Sequence, residues 1–260
     1  MFTPILAYHK VKNDFDLSIT RVTPTQFERQ VRYLFHKGYK ITSISDFVNL
    51  SLFDEKSVVI TFDDSYASVY EHALPVLRKY NYTATIFVIT NYVNKWNDWD
   101  YPLPRNRNMH CSWEQLKELA AEGWEIGSHT ASHRSLTQLS NSELRHELDE
   151  SKCQLEKRIQ NKVNVLSYPF GKFDDRVIHF AKMSGYQAAC TLGHKVSKTK
   201  EKLHTLERRG VYFFEPFHLF KVKLQEGLWA RCDDKKQRAI TFCSHGSILL
   251  QTLRSYRNIT

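Results

Sequence analysis

Short apolar runs alternate with longer amphipathic stretches along this chain. Residues 5–9 (ILAYH), 58–62 (VVITF), 84–89 (ATIFVI) and 163–168 (VNVLSY) are apolar, β-branched or aromatic, as expected of strands covered on both faces. Residues 124–129 (WEIGSH), 187–192 and 206–213 complete a set of seven predicted strands. Between them the spacing turns helical. Thr23-Pro24 opens a helix through Phe27, Val31, Leu34 and Phe35, which Gly38 ends. Residues 67–79 form a second helix, with Pro75 as its kink. Ser112 caps WEQLKELAAE, and Gly123 closes it. A long helix starting at Asn141 or Ser142 carries Leu144, Leu148, Leu155 and Ile159. Asp174 or Asp175 opens a last one, ending near Gly185. Strands and helices alternating at this spacing predict a mostly parallel α/β fold, and seven strands are compatible with a barrel. Residues 91–111 read as irregular. Residues 226–260 have no clear period, with ITFCS a candidate strand and ILLQTLRSY a candidate short helix. No Gly/Ser/Pro linker and no repeat divides the 260 residues, so they read as one domain.

Composition narrows the class. With 42% apolar and 25% charged residues the chain is not disordered, collagen-like or a disulfide scaffold. No apolar run reaches the roughly 18–20 residues that cross a bilayer. The start, MFTPILAYHK, lacks the basic and apolar regions of a signal peptide. The five cysteines form no C-x-x-C pair and suit reduced thiols. The expected location is therefore the cytoplasm. Net charge is +9, densest over residues 195–209 (KVSKTKEKLHTLERR). That stretch is either a solvated loop or a surface for phosphate or membrane. No zinc-finger, basic-zipper or RNA-recognition signature supports nucleic acid as a partner.

Three features fall at the C-terminal ends of predicted strands, where parallel α/β folds place their sites. Asp63-Asp64 follows VVITF. One such carboxylate can bind a metal while the other handles a proton; alone, the pair reads as a helix cap or turn. His129-Thr-Ala-Ser-His133 follows WEIG. Two imidazoles four apart, read as one face of a helical turn, can share a metal, though such a pair alone is commonly coincidental. With Asp64 they make a two-histidine, one-carboxylate set that leaves coordination positions open for water and substrate. Ser167-Tyr-Pro-Phe-Gly171 ends VNVLSY. It reads as a constrained turn able to aim a backbone N–H into a site, or simply as a β-turn.

Taken in order, these features resemble the polysaccharide deacetylase family (carbohydrate esterase family 4, NodB-homology domain). The matching residues are Thr61-Phe62-Asp63-Asp64-Ser65, His129-Thr130-Ala131-Ser132-His133 and Tyr168-Pro169-Phe170-Gly171. The approach from Ser112-Trp113-Glu114 through Gly123 to His129 also looks like family sequence, and the likeness spans about residues 4–213. The resemblance implies a distorted (β/α) barrel that removes acetyl groups from N-acetylated sugars with a divalent metal, Zn first, with Co, Ni or Fe as alternatives. Carried over by position, Asp63 is the general base, and Asp64, His129 and His133 are the metal ligands. The backbone N–H of Phe170 helps bind the oxyanion. Tyr8-His9-Lys10-Val11 resembles the N-terminal motif of the subgroup that includes poly-N-acetylglucosamine deacetylases, which makes His9 the general acid. His245, in FCSHGS, is the competing candidate.

The chain departs from the family pattern at Ser65, where glycine is usual, and at Ser167, where many members carry an Arg that pairs with the base. Arg208 lies where the subgroup places an Arg and could orient Asp63 instead. Trp96, Trp99 and Tyr101 in the irregular loop suit a sugar platform or a membrane interface. The implied partner is an N-acetylated amino-sugar oligomer, polymer or lipid-linked sugar, with peripheral contact at the inner membrane face. The alternatives are a deformylase or non-sugar amidase on the same scaffold, or an inactive glycan-binding protein.

Overall fold

The computed structural model describes residues 3–14, 19–49, 56–97, 108–193 and 202–226. The seven predicted strands are present: β1 (Ile5–Tyr8), β5 (Ser57–Phe62), β6 (Thr85–Val88), β7 (Glu125–Ser128), β8 (Val165–Ser167), β9 (Ala188–Leu192) and β10 (Leu206–Gly210). Each pairs in parallel with its successor. β10 returns to β1 with Leu6 opposite Arg209, and β1 joins β5 with Ala7 opposite Thr61. The ring closes as a distorted barrel of seven parallel strands with helices around it. Closure leaves no open edge in the ring.

Side-chain alternation along these strands sorts two layers. Ile60, Phe62, Leu166 and Tyr168 face outward into a core shared with the helices. Ile5, Val59, Phe87, Val165, Ala188 and Cys190 form a separate apolar cluster inside the ring. Full burial of such aliphatic and aromatic side chains contributes about 1.5–3 kcal/mol each. Ile44, from the short helix α2 (Ile44–Asn49), joins this inner cluster and plugs the base. Its first N–H groups are held by the Glu125 carboxylate, at 2.9 and 3.2 Å. β4 (Lys40–Ile41) pairs with the first two residues of β5. β2 (Lys10–Val11) and β3 (Arg21–Val22) form a small parallel pair beyond β1.

The helices follow the capping signals. Thr23, Ser112 and Ser140 make reciprocal caps for α1 (Pro24–His36), α4 (Trp113–Ala121) and α5 (Asn141–Ile159). Asp174 caps α6 (Asp175–Met183). Each cap satisfies backbone donors that the helix cannot, a contribution of about 1 kcal/mol. Two details differ from expectation. The break in residues 67–79 precedes Pro75. A π-helical stretch, Val69–Ala73, leads into α3 (Leu74–Lys79), because the proline ring displaces the carbonyl one turn earlier. The last strand stops at Gly210 rather than near residue 213. The chain then turns, with Glu215 N–H bonding the Tyr212 carbonyl at 3.2 Å, into α7 (Phe217–Lys223). Among the described residues no helix is long and apolar enough to cross a membrane. The expected strand and helix of the tail, His245, Trp99 and Tyr101 lie outside the described residues.

Candidate active site

Above the inner apolar layer the barrel turns polar. On β5, Val59 belongs to the apolar cluster, Thr61 lies two residues on, and Asp63 two more. Period two puts all three on the inner face. On β8, Ser167 follows Val165 by the same rule, and on β10 Arg208 follows Leu206. The outcome is a buried ion pair. Arg208 Nη1 and Nη2 donate to the two Asp63 carboxylate oxygens at 2.7 Å each. The same nitrogens donate to Thr61 Oγ1 at 3.1 Å and Ser167 Oγ at 2.8 Å, and Nε reaches the Thr191 carbonyl at 3.4 Å. All five guanidinium N–H groups thus have acceptors, as a fully buried arginine requires. The small Ser167 leaves room for this guanidinium and bonds to it. The departure at residue 167 and the Arg at 208 are two halves of one arrangement.

Charge follows geometry. Burial alone would raise the Asp63 carboxyl, but the Arg208 charge and hydrogen bonds hold it well below the usual carboxylate range. Asp63 is therefore ionised and oriented. Arg208→Gln should let that carboxyl climb. On the expectation that Asp63 is the base, which works only when ionised, the acidic limb of kcat/KM should move to higher pH. An unmoved limb would assign it to another group.

Asp64 lies on the next residue yet serves the same mouth. Adjacent side chains on a strand point to opposite faces, so the backbone must break the strand here. Asp64 and Ser65 both adopt left-handed backbone, φ 67° and 50°. For residues other than glycine that costs on the order of 1–2 kcal/mol each, less for Asp. Asp64 Oδ1 then stands 3.5 Å from His129 Nε2 and 3.6 Å from His133 Nε2.

The histidine pair is not on a helical turn, as the spacing predicts. Residues 129–133 form an irregular turn, with Thr130 and His133 at φ 67° and 58°. Local side-chain bonds and one contact from a distant helix impose it. Ser128 Oγ accepts from the Thr130 N–H, and Thr130 Oγ1 from the His133 N–H, both at 3.1 Å. The Glu147 carboxylate of α5 accepts from the Ser132 N–H at 2.8 Å and also from its hydroxyl. His129 Nδ1 lies 2.7 Å from the Ser167 carbonyl. A carbonyl only accepts, so Nδ1 carries the proton and Nε2 presents its lone pair to Asp64. Burial lowers both imidazoles, His133 well below its ordinary value, which keeps them neutral.

Neutral imidazole nitrogens and a carboxylate are the donor chemistry of a divalent transition metal. Three ligand atoms about 2.0–2.1 Å from a tetrahedral ion lie roughly 3.4 Å apart, close to the two Asp64–histidine separations. Asp64, His129 and His133 are buried together and fit such an ion. Phe170 sits beside them. Its backbone is left-handed at φ 59°, its ring meets His133 at a centroid distance of 4.7 Å, and Gly171 follows at φ 66°. A Cβ on Gly171 would lie 2.5 Å from the Leu192 carbonyl oxygen, so only glycine fits there. His9 directly follows β1 at the mouth, within electrostatic reach of Asp63, His129 and Arg208. Its imidazole is lowered to about 4 by burial, against the pull of Asp63.

Residues 52–189, which hold the Asp-Asp, His-x-x-x-His and Pro-Phe-Gly motifs, match the family model for polysaccharide deacetylase. The chain belongs to the polysaccharide deacetylase family. Within it, YxkH of Bacillus subtilis, whose name places it in the same family, is 30% identical over 209 residues, 79% of this chain and 70% of that one. The poly-β-1,6-N-acetyl-D-glucosamine N-deacetylase of Staphylococcus epidermidis is 30% identical over 215 residues, covering 73% of this chain and 72% of that one. Among solved structures, the Streptococcus pyogenes deacetylase PplD in complex with acetate superposes with a TM-score of 0.73 at 25% identity. It covers 86% of this chain and 98% of that one.

The structure thus gathers Asp63, Asp64, His129, His133, Phe170, Arg208 and His9 at one mouth of this family barrel. Trp96 is exposed in the loop after β6. The motifs assign no role to Thr61, Glu147 or His110. Thr61 was findable, being two residues before Asp63 on one strand. Glu147 was findable as a carboxylate beside the Leu144–Leu148–Ser151–Leu155 stripe of α5. His110 carries no local pattern.

Proposed function

We propose that this chain is a metal-dependent N-deacetylase of an N-acetylated amino-sugar polymer, with Asp63 as base and Asp64, His129 and His133 as metal ligands. One observation carries the reading. Two adjacent carboxylates have opposite surroundings, Asp63 locked in a bidentate pair with Arg208 and Asp64 facing two neutral imidazoles. Environments that separate paired carboxylates assign them different tasks. The polymer follows from the relatives named for poly-β-1,6-N-acetyl-D-glucosamine.

A divalent ion at this site supplies a Lewis acid for the acetyl carbonyl and lowers the pKa of water. The protein does the rest. Asp63, ionised and aimed by Arg208, takes the proton of the attacking water. The Phe170 N–H, fixed by the Pro169–Gly171 turn, bonds the oxygen on which negative charge develops. His9 hands a proton to the departing amine. The proton affinities run in the useful direction. Asp63 is held well below the usual carboxylate range, His9 lies at about 4, and an ordinary amine near 8 binds a proton more tightly than either. Transfer of a proton from His9 to the amine is therefore downhill.

His9→Ala should keep the metal and lose about 10²–10⁴-fold in turnover of the amide. An aryl acetate, whose leaving group needs no proton, should be far less affected. If His245→Ala is the crippled variant instead, the acid is His245. The reading as a whole is tested by acetate release from β-1,6-linked N-acetylglucosamine oligomers, nucleotide-linked amino sugars and polyprenyl-phosphate-linked amino sugars. Acetate appearing with one free amine per cleavage supports it. Formate or ammonia instead would move the activity to another C–N bond.

A further inference from the structure

Two adjacent carboxylates serve one mouth only because Asp64 and Ser65 leave the strand in left-handed backbone, and Ser65 is poorly suited to that conformation. Its hydroxyl offers no compensation, since the buried Ser65 Oγ makes no hydrogen bond among the described residues. Something else must hold the turn. Residues 109–111 lie antiparallel against it, with a bridge between Tyr66 and His110. The Cys111 N–H donates to the Ser65 carbonyl at 2.7 Å, and the Ala67 N–H to the Met109 carbonyl at 2.9 Å. Between these two bonds, His110 Nδ1 meets the Asp64 carbonyl at 2.6 Å. The carbonyl can only accept, so Nδ1 is the donor. The His110 ring is buried and fixed between Tyr66 and Tyr92, with centroids at 4.8 and 5.4 Å. Behind it, the Lys95 carbonyl accepts from the His110 N–H and the Cys111 carbonyl from the Asn94 N–H, both at 3.0 Å.

We propose that His110 is a positioning residue for the Asp64 carboxylate, its Nδ1–H clamping the Asp64 carbonyl so that a turn containing serine keeps the geometry a glycine would adopt unaided. The inference rests on the reading of Asp64 as a metal ligand. It concerns an outer partner of the site, because the His110 bond is to the backbone carbonyl of Asp64. Loss of such partners typically weakens metal binding by about 10–100-fold.

Zinc binding to the metal-stripped full chain, measured by competition with a chromophoric chelator, tests this directly. His110→Phe keeps the ring stack and removes the donor. Its zinc dissociation constant should rise by about 10-fold or more. His110→Asn, which returns an N–H donor near the Nδ1 position, should bind within a few-fold of the parent. The decisive variant is His110→Phe combined with Ser65→Gly. Glycine holds the left-handed turn without help, so affinity should return most of the way. A general packing role for His110 would show no such rescue. Parent-like affinity in His110→Phe, or no recovery in the double variant, overturns the proposal. Asp64→Ala, run alongside, separates the two levels. If it too binds zinc like the parent, the metal-site reading falls and this inference with it. If it loses zinc while His110→Phe does not, only the clamp is wrong.

Discussion

Asp63→Asn should leave a folded, metal-binding protein with almost no turnover. The substitution keeps size and shape but removes the charge that accepts a proton. General base catalysis contributes about 10²–10⁴-fold, and kcat should fall by that amount. Zinc affinity should stay within a few-fold, because the donor cluster consists of Asp64, His129 and His133. Stability should fall as well. Arg208 would remain buried at 1% exposure without its counter-charge, and breaking such a pair costs about 3–5 kcal/mol. For a chain of this size that corresponds to a Tm lower by roughly 10 °C. Kinetics well below Tm separate the two effects. Loss of zinc in this variant would exchange the roles of the two aspartates.

His133→Ala should lose the metal, and activity with it. His133 Nε2 lies 3.6 Å from Asp64 Oδ1, and the ring is held neutral by burial. Removing an outer partner of a metal ligand costs up to about 100-fold in affinity, and removing the ligand should cost more. The turn should survive, since Glu147 holds Ser132 and Ser128 holds Thr130 independently of the ring. Zinc content by elemental analysis after dialysis against a weak chelator gives the answer. Full occupancy would remove His133 from the ligand set. Residual activity equal to that of the metal-stripped parent would confirm that the two losses are one.

Which features were legible beforehand follows from how local their causes are. The barrel strands were readable because both their faces are buried, which demands unbroken β-branched and aromatic runs such as VVITF. The capped helices were readable because Thr23, Ser112 and Asp174 act on donors three residues away. The metal set was readable from motif order, through likeness to a family. The shape of the His129–His133 turn was not, since bonds from Ser128 and Glu147, the latter on a distant helix, decide it. β4 and α2 escaped notice for another reason: two and six residues are too few to show a period. The Asp63–Arg208 pair spans 145 positions. Family position suggested it, while its five-donor geometry, with Thr61, Ser167 and Thr191 as further acceptors, exists only in the closed barrel. His110 is the extreme case. Its ring acts on a backbone carbonyl 46 residues earlier, and no spacing rule records that.

The central claim is that one divalent ion at Asp64, His129 and His133 enables removal of an acetyl group. The direct measurement is acetate release from a β-1,6-linked N-acetylglucosamine oligomer by parent protein stripped with a chelator and then titrated with zinc, cobalt, nickel or iron. The account predicts no acetate from the stripped protein and recovery that saturates at one ion per chain, absent in His133→Ala. Acetate release at full rate from the stripped protein would contradict it.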